Sequence, residues 1–279
     1  MNARVLSLVC AAFVVTGIVF GAPSPGATRV NPLVAKMIQA YGGSAVLGSI
    51  KTRVVTVTAA LQGEAATITT TYQWPNHIVQ VIQIPALRVT VTYGYDGSQG
   101  WARDTYGHIQ AQTGDQLVQL KCLADNPIEA VLESGGGTSD VSVRSSRTTD
   151  HAKQYDVLQV TQPGCPATTL LLDPNTHLVA RETTDSQTND FSNYAVDPAG
   201  EMYPKTVVTT ASGVTTVGTV TSVQDNVTLD PSIFAMPVAG ASPAPAPGLV
   251  TATPSPTPTP TAPSPTPAGT QVPLATHAP

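Results

Sequence analysis

From residue 51 onward, apolar or β-branched side chains alternate with threonine and other polar groups at a period of two, and glycine, proline or asparagine breaks the alternation at short intervals. A period of two sends successive side chains to opposite faces, so the pattern predicts a meander of antiparallel strands. The expected strands are Lys51–Leu61, Ala66–Trp74, His77–Ile84, Leu87–Tyr95 and Gly100–Arg103, resuming as Val141–Thr148, Gln154–Thr161, Thr168–Asp173, His177–Thr184 and Asn189–Val196. Tyr203–Thr210 and Val214–Val223 flank Ala211-Ser212-Gly213 and read as a closing hairpin. Val55, Val57, Ala59 and Leu61 share one face, as do Val89, Val91, Tyr93 and Tyr95, while threonines crowd the opposite faces. Ile78 to Ile84 is apolar on both phases apart from Gln80 and Gln83, which predicts cover on both sides.

Two stretches change period. Asn31 can cap a helix, Pro32 suits its first position, Val34, Met37, Ile38 and Tyr41 fall on one face, and Gly42-Gly43 stops it. In the middle of the chain, Leu117, Leu120 and Leu123 share one side of Asp115–Ala124. Asn126-Pro127-Ile128-Glu129 then supplies cap, proline and a capping-box glutamate for a helix over Ile128–Glu133, ended by Gly135–Gly137. Strands, a helical interlude and more strands predict a mainly β domain, a curved antiparallel sheet with a few helices across its mouth. Beyond the hairpin, Leu229, Ile233, Phe234 and Met236 form an apolar plug that can fold back over the sheet.

The ends of the chain are of other kinds. Arg4 precedes a nearly unbroken apolar run, Val5 to Ala22, as in an export signal. Cleavage after Gly21 is expected, and retention of the run as a membrane anchor is the alternative. The organisation expected is then a signal segment at 1–21, a short linker at 22–30, a folded domain at 31–237 and a tail at 238–279. From Pro237 onward the chain holds 13 of its 25 prolines and no Asp, Glu, Lys or Arg, which predicts a disordered or extended spacer rather than a core. Localisation is expected to be periplasmic, cell-envelope or secreted, with an envelope or cell-wall partner reached through the tail. The net charge is −5, and losing Arg4 makes it more negative, so nucleic acid is not an expected partner.

Removal of the leader would leave two cysteines. Cys122 and Cys165 in an oxidising compartment read as a disulfide, with two buried thiols as the alternative. Closing about 43 residues of chain would stabilise the fold by roughly 4 kcal/mol. His77, His108, His151, His177 and His277 are isolated, and the cysteines make no CxxC pair, so neither a metal nor another cofactor is implied. Asp96-Gly97-Ser98 suits a tight turn better than a hydrolase signature. The chain reads as a non-enzymatic protein, and no catalytic residue is assigned.

Several segments together carry a family likeness. The helix ending Tyr41-Gly42-Gly43, the Tyr95-Asp96-Gly97 turn with Trp101, Leu171-Leu172-Asp173-Pro174 leading to His177-Leu178-Val179, Tyr203-Pro204 opening the last hairpin, and Phe234-Ala235-Met236-Pro237 closing it occur in an order similar to that of the LolA-like outer-membrane lipoprotein carriers and their lipid-binding relatives. The resemblance covers roughly Asn31 to Pro237. It implies an incomplete β-barrel closed by helices whose apolar hollow takes up acyl chains of a lipid or lipoprotein, in a protein expected to be a monomer. The long tail departs from a freely diffusing carrier.

Such a hollow needs converging apolar side chains and few polar ones. The candidates are Val55, Val57, Trp74, Val91, Tyr93 and Trp101 from the sheet, and Leu120, Leu123, Ile128 and Leu132 from the helical lid; the same residues also suit an ordinary filled core. A disulfide at Cys122 would tether that lid to the region after Gly164. Arg53 and Arg88 are candidates to meet a ligand carboxylate or phosphate, with a solvated surface position as the alternative. A surface spacer or adhesion domain and an exported hydrolase with an unrecognised site are the competing functions.

Overall fold

The structure is a computed structural model that describes residues 31–134 and 141–238. The expected signal segment and linker, the Gly135–Gly137 stop and the tail beyond Val238 lie outside the described residues.

The elements are α1 (Pro32–Ala40), α2 (Ser44–Ser49), β1 (Thr52–Leu61), β2 (Glu64–Gln73), β3 (His77–Ile84), β4 (Val89–Asp96), β5 (Gly100–Arg103), β6 (Ile109–Gln112), α3 (Asp115–Ala124), α4 (Pro127–Ser134), β7 (Ser142–Asp150), β8 (Lys153–Thr161), β9 (Thr168–Leu172), β10 (Val179–Thr183), β11 (Gln187–Val196), β12 (Met202–Ala211) and β13 (Val214–Asp225). All thirteen strands join one antiparallel sheet in the order β6-β5-β4-β3-β2-β1-β13-β12-β11-β10-β9-β8-β7. Each pairing joins strands consecutive in sequence except that of β13 with β1, and the consecutive strands β6 and β7 form the two edges. That closing pairing makes the last hairpin a central element rather than an edge. Ser212 and Gly213 both take left-handed backbone angles at its turn (φ +50° and +79°), the geometry a tight hairpin needs.

Caps form as the sequence predicts. Leu33 N–H donates to Asn31 Oδ1 (3.0 Å), and Ile128 N–H donates to Asn126 Oδ1 (2.9 Å). Two elements escape the sequence pattern, α2 and β6. α2 has six residues and no side-chain cap, and β6 is only the four residues Ile109–Gln112, so each is too short to fix a period. β4 starts later than expected because Pro85–Leu87 makes a 3-10 turn ending on a left-handed Arg88. β10 starts at Val179 because Asp173 Oδ1 accepts from the backbone of Asn175 and Thr176, drawing the residues before it into a turn.

The sheet is curled, and its own connections show why. β4 and β8 stand nine places apart in the strand order, which in a flat sheet is about 40 Å. Yet α3 packs on β3, β4 and β5 while α4, two residues later, packs on β8 and α1. The twenty residues of α3 through α4 reach at most about 30 Å end to end. The sheet therefore wraps into a barrel that stays open between β6 and β7, and the two helices close the gap that strand pairing leaves.

The interior is one continuous apolar cluster. It joins Val34, Met37, Ile38 and Tyr41 of the first helical segment and Leu120, Ile128, Val131 and Leu132 of α3–α4 to the inward side chains of the sheet, including Val55, Val57, Ile68, Val91, Leu158, Leu170, Val179 and Val207. A second, smaller cluster lies on the outer face, where Phe234 covers Val79, Val81 and Trp101 with Leu229 and Ile233 packed beside it. β3 is thus covered on both sides, as its apolar phases predict. Met236, grouped with the plug in the sequence, is 40 % exposed, because the chain leaves the sheet after Phe234.

Candidate functional site

Seven of the ten proposed lining residues converge fully. Val55, Val57, Val91, Tyr93, Leu120, Ile128 and Leu132 are buried in the interior cluster. Trp74 and Leu123 pack against it half-buried, Trp74 stacked on buried Tyr72 with ring centroids 5.6 Å apart. Trp101 does not join them. It pairs across the ladder with Gly94, whose missing Cβ would lie 2.3 Å from the indole, so the ring rests on the outer surface of β4. Its Nε1–H donates to Phe234 O (2.8 Å), which fixes the plug. Alternation along β5 had not distinguished the two faces of so short a strand; only its bare neighbour Gly94 hints at where a large ring fits.

The lid is tied to the far side of the barrel. Cys122 of α3 and Cys165 of the β8–β9 loop form a disulfide with Cα atoms 5.6 Å apart. Gln162 Nε2 donates to Asp125 O (2.8 Å) just beyond α3. On its other side α3 lies close on β5, where a Cβ at Gly100 would come within 3.0 Å of Leu117 and Leu120 methyl groups. α3 therefore bridges the two flanks of the open barrel.

Arg53 is neither solvated nor directed at a ligand, in contrast to both alternatives drawn from the sequence. It is wholly buried, with Nη2 at 2.5 Å from Asp197 Oδ2 and 2.7 Å from Glu201 Oε2, and Nε at 2.5 Å from Asp225 Oδ1. Those acids come from the β11–β12 turn and the end of β13, so the guanidinium gathers chain ends that the sequence separates widely. The periodic signal could not show this, since an arginine on an inward phase reads as an exception. Burial pushes Glu201 up to about 8, the carboxylates of Asp197 and Asp225 push the same way, and Arg53 opposes them. One cation among three acids leaves the proton on Glu201. Arg88 is exposed.

The interior also carries polar groups that the apolar pattern did not reveal. Tyr41 and Tyr194 hydroxyls meet at 3.2 Å, and Tyr194 O–H donates to Val179 O (2.6 Å), locking the end of α1 to β10 and β11. Glu182 and Asn189, on adjacent strands, are buried on the same inward face, and burial pushes the Glu182 carboxyl up. A separate open cavity of about 380 Å³ lies outside the lid, between Asn31, Pro32, Leu33 and Lys36 of the α1 start and Ser145, Ser146, Arg147 and Asp156 of β7 and β8. Its lining mixes Pro32 and Leu33 with charged and hydroxyl side chains, unlike the mostly apolar lining of an acyl-chain site.

No protein-family model matches the sequence, and no curated protein matches it. Among solved structures, the chain is similar to a LolA superfamily protein from Nitrosomonas europaea at 14 % identity, with 75 % of this chain and 98 % of that one covered and a TM-score of 0.50. It is also similar to an outer membrane lipoprotein-sorting protein domain from Vibrio parahaemolyticus at 9 % identity, with 72 % and 94 % covered and a TM-score of 0.48. The fold is LolA-like: mainly β, one unclosed antiparallel sheet of thirteen strands, and few helices.

Proposed function

We propose that this protein is an exported, non-enzymatic binding protein that takes up the acyl chain of a lipid or lipoprotein between its curved sheet and the lid formed by α3 and α4. The observation that carries the reading is how the barrel is closed. Its apolar interior is sealed by two short helices rather than by pairing β6 to β7, so access needs helix displacement and no loss of strand hydrogen bonds. Val55, Val57, Val91 and Tyr93 then form the wall, and Leu120, Leu123, Ile128 and Leu132 the inner side of the lid. In the conformation described, wall and lid fill each other's surface, which is the closed state of such a container. Export rests on the Val5–Ala22 run, and the tail is read as a spacer that holds the domain at the envelope.

The packed interior also favours a second reading, a surface spacer or adhesion domain whose core is simply filled. Native mass spectrometry of protein purified gently from a lipid-containing source separates the two. The binding reading expects added mass from co-purified lipid, or saturable fluorescence with cis-parinaric acid after delipidation. Protein that is always empty, and dark with the probe both before and after reduction of its disulfide, refutes the container and leaves the spacer.

A further inference from the structure

We propose that Glu182, Asn189 and Thr209 form a polar anchor in the wall of the interior, with Glu182 donating a hydrogen bond to the ester or carboxyl carbonyl of the acyl ligand while its hydrocarbon lies along the apolar lining. The inference rests on the acyl-container reading and specifies where in the container the oxygen-bearing end of the ligand is held.

The three residues occupy direct cross-strand positions on β10, β11 and β12, Glu182 opposite Asn189 and Asn189 opposite Thr209. All are at least nine-tenths buried. Their neighbours on the same face are apolar members of the interior cluster: Leu170 across from Glu182, Phe191 two residues along β11, and Val207 two residues along β12. A run of polar groups in such a wall costs more than a run of aliphatic ones unless each is satisfied. These are satisfied in one direction only. Thr209 Oγ1 donates to Asn189 Oδ1 (2.8 Å), and Asn189 Nδ2 donates to Glu182 Oε2 (2.9 Å). The chain of donors ends on Glu182, and among the described residues no group donates to its Oε1.

Among the described residues no cation lies beside Glu182 to hold it ionised. Burial raises its pKa, opposed by the bond from Asn189 alone, a direction that favours the protonated carboxyl. With Oε2 accepting from Asn189, Oε1 is the carboxyl oxygen left to carry the proton in the proposed anchor and to present it to a ligand. Tyr194 donates to Val179 O and Tyr41 is engaged with Tyr194, and among the described residues neither hydroxyl bonds to Glu182; Gln187 Oε1, two residues from Asn189 along β11 and buried without a partner, is the protein acceptor with which the ligand carbonyl competes. A neutral acid in an apolar wall selects a neutral acceptor. An acyl ester or a protonated fatty acid supplies one.

The test compares two fluorescent probes that differ in oxygen content, cis-parinaric acid methyl ester and the pure hydrocarbon 1,6-diphenylhexatriene, on the full chain and on Glu182→Met and Glu182→Gln. The anchor predicts that Glu182→Met weakens the ester about tenfold and leaves the hydrocarbon unchanged. Glu182→Gln, whose amide still donates, should hold the ester within about twofold. If Glu182→Met does not fold, the infrared carbonyl stretch of a carbon-13-labelled ester decides on the wild type, expected at lower wavenumber when bound than in hydrocarbon solvent. A wild type that binds both probes, with both weakened equally or neither weakened in Glu182→Met, or with an unshifted carbonyl, refutes the anchor and leaves the container standing. A wild type that binds neither probe removes both.

Discussion

Raising the pH should destabilise this fold through Glu201, in a range where most proteins are near their most stable. The group is an acid whose folded pKa lies above its unfolded value, about 8 against 4.5. Below the unfolded value both states carry the proton and the group contributes nothing to pH dependence. Between the two values the folded state alone keeps the proton, so each rise in pH favours unfolding, until the folded carboxyl also ionises beyond 8. The shift corresponds to a ceiling of about 5 kcal/mol. Coupling to Asp225 and relaxation around the newly charged acid reduce this, and about 2 kcal/mol between pH 5.5 and 8.5 is expected. Urea unfolding at the two pH values reads it directly, as a fall of about 1 M in midpoint for a slope near 2 kcal/mol/M. Asp225, Asp125 and Glu182 are also raised by burial and push in the same direction, so Glu201→Gln is needed to isolate the effect. That variant should lose most of the pH slope and exceed the wild type in stability at pH 8.5. A midpoint that stays level or climbs from pH 5.5 to 8.5 would show that the buried arginine holds Glu201 ionised, and a slope that survives in Glu201→Gln would assign the pH dependence to the other raised acids instead.

Three further outcomes follow from named contacts. Replacing Cys122 and Cys165 by serine should cost roughly 3 to 4 kcal/mol in chemical denaturation and speed the uptake of cis-parinaric acid; an unchanged uptake rate would separate the disulfide from gating. Gly94→Ala drives a methyl into the Trp101 indole and should destabilise by about 1 to 3 kcal/mol with a changed tryptophan emission, whereas a neutral result would mean that the ring moves freely. Phe234→Ala removes the cover of Val79 and Val81 and should cost about 3 to 5 kcal/mol; a loss under about 1 kcal/mol would show that the plug is peripheral to the fold.

The strand periods and helix caps were legible because each is a local property. Val55, Val57 and Leu61 face inward by alternation alone, and Asn31 and Asn126 cap where their neighbours require it. Relations between distant strands were not. Nothing in the local sequence around Arg53 announces Asp197, Glu201 and Asp225, because β1 meets β13 only after every intervening strand has been laid down. Trp101 was assigned to the wrong face for a related reason: four residues of β5 carry too little alternation to fix a phase, and the partner that decides it, Gly94, lies on another strand. The polar run Glu182, Asn189 and Thr209 was hidden in the same way, one residue on each of three strands.

The energetics of the lid explain why its disulfide sits on α3. Lifting α4 would expose Ile128, Val131 and Leu132, each fully buried, at about 1.5 to 3 kcal/mol apiece. α3 buries Leu120 and Ala124, leaves Leu117 and Leu123 half-buried, and exposes Val118. Its apolar hold on the barrel is therefore weaker by several kcal/mol, and it is the helix that would lift first. Cys122 lies on that helix, and its bond to Cys165 crosses to the loop between β8 and β9, so the covalent link acts on the helix that burial holds least. α1 needs no such link, since Tyr41 is joined to Tyr194 and Val179 and the Met202 N–H donates to Tyr41 O. In the proposed container the wall and α1 are thus the fixed part, and α3 is the part whose freedom the disulfide limits.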